Sequence, residues 1–488
     1  MKAIIIGSTK HLLMAAGYAL LGIILTALIG GIYFLNSRPD LSLWHTTELK
    51  NEFRYNTKIE HFSEYLALED KLFAELETKV LQKVPASEVS PVNRYVKDSL
   101  SNPSHWRNNW NRSFEWPKEN AEFGVLLLHG MSDSPYAMSN LALHFKGKAH
   151  VLGLRLPGHG TIPSGLVNLY WQDLAAAVNL ATAHMKQKLN GKPLFVVGFS
   201  TGAATALNHE LERINQNQPA DFAGMIFLSP AIALDPIAAA ARWQSWLGRV
   251  LNLDKLQWNS IQMEYDPFKY TSFAVNAGDV VYQLALRNQS LLSGLTAEQL
   301  LQIPSILTFQ SVVDATVSTP AVLQQLYQAL PEHGHELVLF DINRIALNSK
   351  MMPDDPLALL LPPVSQQVHY RGTLIENINS DTTQVQAREF GISTGENLAP
   401  QIEPLSLEWP AGVYSLSHVA LPFSDNDSLY GNKTRENATR IQIGASAPRG
   451  ERGVYSVPAA EMLRQKWNPF YGYMISRIDQ YQTAHMGN

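Results

Sequence analysis

Ser200 is the residue whose surroundings most clearly predict chemistry. It lies in the sequence Gly198-Phe199-Ser200-Thr201-Gly202, which has the pattern G-x-S-x-G. The apolar residues LFVV precede the pattern and the small residues AATAL follow it, so the serine is predicted to lie on a sharp turn from a strand into a helix. Glycines let such a turn bend tightly, and the serine oxygen then projects from the sheet edge, where it can act as a nucleophile. The alternative is a glycine turn whose serine has no chemical role.

A serine hydroxyl is a poor nucleophile at neutral pH, so this chemistry requires a base and a carboxylate that orients the base. The expected chain order is serine, acid, histidine. Asp314 follows the apolar stretch SILTF and is predicted to be the acid, because it lies in the turn just beyond a strand. An aspartate in a turn or at a helix N-cap is the alternative. Asp341, which also follows a predicted strand, is the reserve candidate.

His418 is the predicted base. It comes directly after a short apolar stretch and is followed by the turn-forming sequence SDNDSLYG. His333 and His335 precede their strand, which places them at the opposite sheet edge, and His369 lies in a stretch with an irregular composition. A lone histidine is more often a surface or core residue than a catalytic one, so the prediction depends on this position in the chain.

Attack on a carbonyl also requires N–H groups directed at the developing oxyanion, and each is commonly worth about 3 kcal/mol. The sequence VLLLHGMSDSPYAM ends a predicted strand at His129-Gly130, and the loop that follows can direct the Met131 N–H towards the substrate. The Thr201 N–H, directly after the candidate nucleophile, is the second expected donor. The glycine loop LRLPGHGT is predicted to shape the same edge of the sheet.

The elements that must position these residues form an alternating pattern of short apolar strands and longer helices, which is typical of a parallel sheet covered on both faces. Strands are predicted at residues 124–128, 149–154, 194–197, 224–228, 305–309 and 336–340. Residues 46–84 are predicted to form an amphipathic connecting helix. Residues 341–410, rich in Pro, Asn, Ser and Asp, are predicted to be an irregular insertion.

Residues 231–300 interrupt the alternation and are predicted to contain a cap over a pocket. Within them Trp243, Trp246, Leu247, Val250 and Leu251 fall on one helical face. A plain core helix is the alternative interpretation of this face.

Composition excludes several classes of function. With 45% hydrophobic and 17% charged residues the chain is an ordinary globular protein. A net charge of -5 with both signs interspersed provides no basic surface for nucleic acid. The absence of cysteine excludes disulfides, thiolate metal sites and a cysteine nucleophile, but it is compatible with a reducing or an oxidising compartment.

The N-terminal region is the exception to this composition. Residues 12–35 contain no charged residue, and at about 1.5 Å per residue they reach roughly 36 Å, enough for a hydrocarbon core of about 30 Å. A cleaved signal peptide is the alternative, but its apolar region is usually about 7 to 15 residues long. Basic residues flank the run on both sides and barely decide its orientation. The short tail before the run favours a cytoplasmic N-terminus and an exported, periplasmic or extracytoplasmic, catalytic domain.

The motifs LLLHGMSDSP, LRLPGHGT and GFSTG, together with Asp314 and His418, resemble the α/β-hydrolase superfamily. The resemblance is strongest to its serine aminopeptidase-like branch, which includes monoacylglycerol lipases and carboxylesterases, and it covers about residues 122–340 and the region of His418. It implies a mostly parallel central sheet flanked by helices, a cap after the strand that ends at Leu228, and Ser200, Asp314 and His418 as a triad.

The same resemblance places Met131 and Thr201 at the oxyanion-hole positions. The sequence departs from the family in one respect: the strand HELVLFD normally leads almost directly to the histidine, whereas here a long segment separates Asp341 from His418. This segment must fold back over the sheet edge if His418 is to reach Ser200.

These observations predict three regions: an N-terminal membrane anchor (1–45), a helical connector and lead-in (46–121), and an α/β-hydrolase domain with cap and insertion (122–488). The predicted function is that of a membrane-anchored serine hydrolase that cleaves acyl or lipid-like carboxylic esters without a metal or organic cofactor. An aminopeptidase-like amide hydrolase is the first alternative; it must bind a free amine, for which only Glu264 and Asp266 are available in the cap. The second is a binding protein that keeps the fold without reacting.

Overall fold

A ten-stranded, mostly parallel sheet forms the centre of the protein. The structure is a computed structural model that describes residues 2–233, 244, 248, 250–251, 253–345, 354–361, 368–391, 401–433, 439–445 and 464–486. The strands are β1 (Phe114–Trp116), β2 (Gly124–Leu128), β3 (His150–Leu154), β4 (Leu194–Phe199), β5 (Gly224–Leu228), β6 (Trp258–Ser260), β7 (Phe273–Ala274), β8 (Ile306–Ser311), β9 (Glu336–Phe340), β10 (Arg371–Asn377), β11 (Gln384–Gly391) and β12 (Ile402–Glu408). Their order in the sheet is β1-β3-β2-β4-β5-β8-β9-β10-β11-β12, and β6 and β7 form a separate ribbon.

The strands predicted from the sequence are those at the centre of this sheet. From β3 to β10 all neighbours are parallel, whereas β1, β11 and β12 are added antiparallel at the two edges. Each predicted strand matches an observed one to within two residues at either end. Strands buried on both faces consist of continuous apolar residues, which is why the sequence located them well.

Helices cover both faces of the sheet. The helices in the described residues are α1 (Lys2–Ser37), α2 (Leu43–Thr46), α3 (Phe62–Lys79), α4 (Ser139–Phe145), α5 (Trp171–Leu189), α6 (Thr201–Asn215), α7 (Val275–Gly294), α8 (Ala297–Leu300), α9 (Thr319–Ala321) and α10 (Tyr471–His485), of which α1 does not pack on the sheet. Alternate residues of each strand enter different cores: in β2, Leu126 and Leu128 pack with α5 and α6, whereas Val125 and Leu127 pack with α4 and α10. The sheet is therefore buried between two helical layers.

The prediction of an irregular insertion over residues 341–410 is wrong for the described part of that segment, which contributes β10, β11 and β12 to the sheet. The completely buried apolar residues of these strands are Leu374 and Ile375 of β10 and Val385 of β11, and a turn rich in Asn, Ser and Asp joins β10 to β11. Because the turn is polar and β11 and β12 are partly exposed, the sequence does not show the pattern of apolar residues that is typical of a buried strand.

The lead-in packs against the central sheet rather than forming a separate connector. Its one long helix, α3, is shorter than predicted, and β1 pairs with β3. The buried Arg155 guanidinium lies 3.0 Å from the carboxylates of both Glu52 and Glu69, which belong to the lead-in. Because a buried charge is costly without a partner, these pairs tie the lead-in to the sheet edge.

The cap is described in part. Trp243, Trp246 and Leu247 lie outside the described residues, while Val250 and Leu251 are exposed. The described remainder contains the ribbon β6–β7 and helix α7, which packs on α6 as part of the helical layer. The described part of the predicted cap thus combines a long helix with a two-stranded ribbon.

Helix α1 is the one described helix that is long and apolar enough to cross a membrane. Its residues Met14–Ser37 have a mean hydropathy of 2.2, and none of the apolar window is buried within the protein. A signal sequence near an N-terminus has the same properties, so these features alone do not separate an anchor from a signal.

Candidate active site

Ser200 lies on a tight turn between β4 and α6. Its φ of 53° and ψ of -112° are in a region that side-chain-bearing residues rarely adopt, and its N–H donates to the Leu228 carbonyl oxygen at 2.9 Å. A Cβ on Gly202 would lie 2.3 Å from the Leu128 oxygen, and one on Gly198 would lie 2.5 Å from the backbone of Ala203. The two glycines are therefore required by close backbone approach, and the serine is held in a strained conformation at the carboxyl edge of the sheet.

Asp314 and His418 are brought together although they are distant in the sequence. His418 Nδ1 lies 2.8 Å from Asp314 Oδ2, and both side chains are buried. The other carboxylate oxygen of Asp314 accepts the N–H groups of Thr316 and Val317 at 2.8 and 3.1 Å, and Gln310 donates to Oδ2 at 3.2 Å.

The ionised form of this carboxylate is favoured. Burial alone raises the pKa of Asp314, but the adjacent His418 and the hydrogen bonds from Thr316 and Val317 outweigh burial, so the pKa lies below its ordinary value. An ionised acceptor at this position holds the Nδ1–H tautomer of His418 and leaves Nε2 available as a base.

Ser200 and His418 line one cavity of about 340 Å³. The Phe199 ring, adjacent to the serine, lies 5.0 Å from the His418 ring, centre to centre. Among the described residues the structure records no hydrogen bond between the Ser200 hydroxyl and His418. Such contacts are often long without substrate and tighten when it binds.

The candidate oxyanion donors lie beside the serine. Thr201 is the first residue of α6, where N–H groups have no acceptor within the helix. Met131 lines the same cavity. Its loop is fixed by two contacts: the Ser132 carbonyl oxygen accepts from the Tyr270 N–H at 2.8 Å, and Asp133 lies 2.6 Å from Lys269.

His129 has a structural place in this loop. It is fully buried; its Nδ1 lies 2.8 Å from the Gly130 oxygen, and its Nε2 accepts from the Leu156 N–H at 3.0 Å. These contacts define a neutral imidazole with the proton on Nδ1. Burial, with the neighbouring His159, accordingly lowers the pKa of His129 well below its ordinary value.

The described cap supplies the wall opposite the triad candidates. Asp266 and Lys269 line the cavity from the cap, and Tyr430 lines it from the segment after His418. The Tyr430 hydroxyl donates to Asp266 Oδ2, while Oδ1 accepts the N–H groups of Phe268 and Lys269 at 2.9 and 3.0 Å. Sequence reasoning missed Lys269 and Tyr430, because no local pattern marks residues that meet only in the folded chain.

The other candidates for the acid and the base, Asp341 and His335, bind other partners. Asp341 is fully buried and forms an ion pair with Arg344, and His418 is paired with Asp314 instead. His335 lies at the start of β9, where its Nδ1 accepts from the Ile306 N–H at 3.1 Å. This is the opposite sheet edge, as the sequence predicted.

Comparison with known proteins shows which family this architecture resembles. Residues 125–346 match a family described as the alpha/beta hydrolase family. This part of the chain has the α/β-hydrolase fold. Ser200 and Asp314 fall within the matched residues of the hydrolase domain, and His418 lies beyond them.

Within the α/β-hydrolases, the chain is similar to monoacylglycerol lipases. It is 30% identical over 135 residues to the thermostable monoacylglycerol lipase of Bacillus sp. (strain H-257), which is 28% of this chain and 51% of that protein. The chain thus spans about half the length of this curated relative. The monoacylglycerol lipase of Paleococcus ferrophilus is 19% identical, covering 47% of this chain and 88% of that one with a TM-score of 0.36. A soluble variant of the Saccharomyces cerevisiae monoglyceride lipase is 16% identical, covering 47% and 82% with a TM-score of 0.36.

Proposed function

We propose that the protein is a membrane-anchored serine hydrolase that cleaves carboxylic esters of acyl or lipid-like substrates through an acyl-enzyme. The observation that carries the proposal is that His418, which is paired with Asp314, lies on the wall of the cavity into which the strained Ser200 turn opens. The similarity to monoacylglycerol lipases supports an ester substrate.

In the proposed reaction the Ser200 oxygen attacks the ester carbonyl carbon while His418 Nε2 takes the hydroxyl proton. The carbonyl electron pair moves to the oxygen, which accepts hydrogen bonds from the Met131 and Thr201 N–H groups. When the tetrahedral intermediate collapses, His418 returns the proton to the departing alkoxide and an alcohol leaves. Water, which gives a proton to His418 Nε2, then attacks the acyl carbon. The second tetrahedral intermediate collapses with cleavage of the bond between the acyl carbon and the Ser200 oxygen, His418 returns the proton to that oxygen, and the carboxylic acid leaves. Asp314 stays ionised and stabilises the imidazolium that forms twice.

Ester hydrolysis is favoured over aminopeptidase activity by the state of the cap carboxylates. Glu264 is fully buried, and its carboxylate accepts the N–H groups of Thr271 and Ser272 at 3.1 and 2.8 Å. The Asp266 carboxylate is bound by Tyr430 and two backbone N–H groups. Both groups that could hold a substrate amine already satisfy internal donors, and burial raises the pKa of each. A neutral or internally bonded carboxyl binds an ammonium group poorly.

For the molecule as a whole, we extend the proposal to an anchor at residues 1–45, a lead-in at 46–121 and a hydrolase domain at 122–488 on the exported side. The apolar, unburied α1 supports the anchor. Protease protection of the domain in sealed membrane vesicles tests the orientation, and cleavage from the cytoplasmic face would reverse it.

Side-by-side kinetics test the reaction class. We expect the full chain in detergent to hydrolyse a short-chain aryl ester and a monoacyl ester, with negligible turnover of an aminoacyl anilide. Ser200→Ala abolishes ester turnover, and Ser260→Ala, which changes a serine on the wall of the same cavity, keeps it. Amide turnover without ester turnover would favour the aminopeptidase, and no turnover of either with a folded protein would favour a non-catalytic role.

A further inference from the structure

The carboxyl end of α1 is bonded directly to the cap. The Arg38 guanidinium donates to the carbonyl oxygens of Lys255 and Asn259 at 2.8 and 3.0 Å. In return, Lys255 Nζ donates to the carbonyl oxygens of Leu35 and Arg38 and pairs with Asp40 at 2.8 Å. We call these reciprocal contacts between Arg38 and Lys255 the latch. The helix end is thus held against the cap rather than joined to the domain by a free linker.

An exposed apolar surface lies beside the latch. Val250 and Leu251 are 60% and 56% exposed, and Leu253 is 37% exposed. We call these three residues the apolar rim. Since a chain extends at most about 3.5 Å per residue, Leu253 lies within about 7 Å of Lys255 and Leu251 within about 14 Å. Neighbouring exposed apolar side chains of this size mark a contact surface more often than isolated ones do.

The depth of the latch relative to a membrane follows from its position at the end of the apolar helix α1. Arg and Lys at the end of an apolar span lie in the headgroup layer, which is roughly 5 to 7 Å thick on each side of the hydrocarbon. The apolar rim is therefore within reach of the same layer and of the acyl chains beneath it. This continuity with the apolar span of α1 selects a bilayer as the occupant of the rim.

The latch is also connected to the candidate active site. Asn259, which accepts from Arg38, lies in β6, and β6 pairs with β7. Ser260 of β6 and Phe273 of β7 both line the cavity that contains Ser200. The same ribbon therefore contacts the end of α1 on one side and forms the wall of the cavity on the other.

We infer that the apolar rim rests in the bilayer that holds α1, and that the latch fixes the hydrolase domain in this orientation so that the cavity receives acyl esters from the membrane. This inference rests on the proposed anchor, and its substrate consequence rests on the proposed ester chemistry. A partner of this kind also accounts for apolar side chains that the fold itself leaves exposed.

The chain contains no cysteine, so a single introduced thiol can report the position of the rim. We would label Leu251→Cys in the full chain with an environment-sensitive nitrobenzoxadiazole dye and reconstitute it in phosphatidylethanolamine–phosphatidylglycerol vesicles. Leu143→Cys is the matched control, because Leu143 is 55% exposed and lies on α4 in the other helical layer. We expect a blue shift and several-fold quenching by nitroxide-labelled lipids at position 251 and neither at position 143.

Equal water exposure of the two labels in vesicles would overturn the inference. A blue shift that grows with protein density and is insensitive to lipid-borne quencher would also overturn it, because that result assigns the rim to a second copy of the chain.

The latch is tested by Arg38→Ala combined with Lys255→Ala in the Leu251→Cys background. We expect the lipid quenching at position 251 to fall by at least half, since the domain is then free to turn on its linker. Lys79→Ala with Arg112→Ala removes two ion pairs elsewhere in the lead-in, with Glu75 and Asp70, and should leave the quenching unchanged. Full quenching in the latch variant would refute the latch.

Kinetics separate this inference from the proposed function. Leu251→Asp should reduce turnover of a vesicle-borne monoacyl ester several-fold and leave turnover of a water-soluble aryl ester unchanged. Equal loss on both substrates, or loss on neither, contradicts delivery from the bilayer. If the wild-type chain turns over neither ester, the proposed function fails, while the fluorescence result still decides whether the rim contacts lipid.

Discussion

Replacing Asp314 with asparagine tests the proposed triad, because the substitution exchanges one carboxylate oxygen for an NH2 group and changes little else. The introduced asparagine keeps the volume of the buried aspartate, and its carbonyl oxygen can still accept the Thr316 and Val317 N–H groups. Its amide nitrogen would then face His418 Nδ1, where the carboxylate oxygen lies at 2.8 Å in the native protein. Two donors cannot pair, so the imidazole must present a lone pair at Nδ1 and carry its proton on Nε2.

The wrong tautomer removes the base that faces Ser200. A loss of this kind costs about 10⁴-fold in kcat, equivalent to about 5 kcal/mol of transition-state stabilisation. Fold stability should change much less, because two of the hydrogen bonds to residue 314 remain. We therefore expect a near-complete loss of ester turnover with little change in KM or in the thermal midpoint.

The assay is kcat and KM on a soluble aryl ester for Asp314→Asn and for Asp341→Asn. Asp341 is also a buried aspartate after a strand, but its partner is Arg344, so the control should keep its turnover even where its stability falls. Asp314→Asn turnover within tenfold of wild type would refute the role given to this carboxylate. Loss in Asp341→Asn alone would transfer the role to the reserve candidate.

Two further predictions concern the turn at the nucleophile and the buried histidines. Gly202→Ala places a Cβ 2.3 Å from the Leu128 oxygen, so the backbone must shift; we expect about 1 to 3 kcal/mol of destabilisation and a large fall in kcat. Gly294→Ala, whose Cβ meets no atom within 4 Å, should be tolerated, and equal effects in the two variants would contradict the argument. Burial lowers the pKa of His159 to about 4, so this histidine stays neutral in the folded protein while the unfolded chain binds a proton below about pH 6.5. This histidine therefore does not lower the free energy of unfolding above pH 6.5. As the pH drops from 6.5 towards 4 the free energy of unfolding falls, by about 2 kcal/mol at pH 5. Urea unfolding at pH 8 and pH 5 should show a smaller pH effect in His159→Asn than in wild type, and an unchanged effect would refute this assignment.

Sequence reasoning located the structural features that produce a continuous local pattern, namely the central strands and the Ser200 turn. The central strands are apolar runs because both faces are buried, and the Ser200 turn carries glycines because the Leu128 and Ala203 backbones lie too close for side chains. The predictions that Asp314 follows a strand and that His418 follows a short apolar stretch also used only local context. The structure brings the two together at 2.8 Å.

The rest depends on contacts that no local pattern records. The strands β11 and β12 are partly exposed, so their composition is close to that of loops. The hydrogen bond between Asp266 and Tyr430 and the latch at Arg38 join residues that are far apart in the chain. Such pairs are determined by the packing of the cap, whose sequence shows an apolar helical face but not the residues that the cap contacts.

Labelling by a fluorophosphonate tests the central claim most directly, because this reagent reacts with a serine only when a base and an oxyanion site activate it. Intact mass of the full-length chain, followed by peptide mapping, should show one adduct on Ser200. Ser260→Ala should be labelled at the wild-type rate, Ser200→Ala should not be labelled, and His418→Gln should be labelled far more slowly. A folded wild-type chain that stays unlabelled, or an adduct on another serine, would contradict the account.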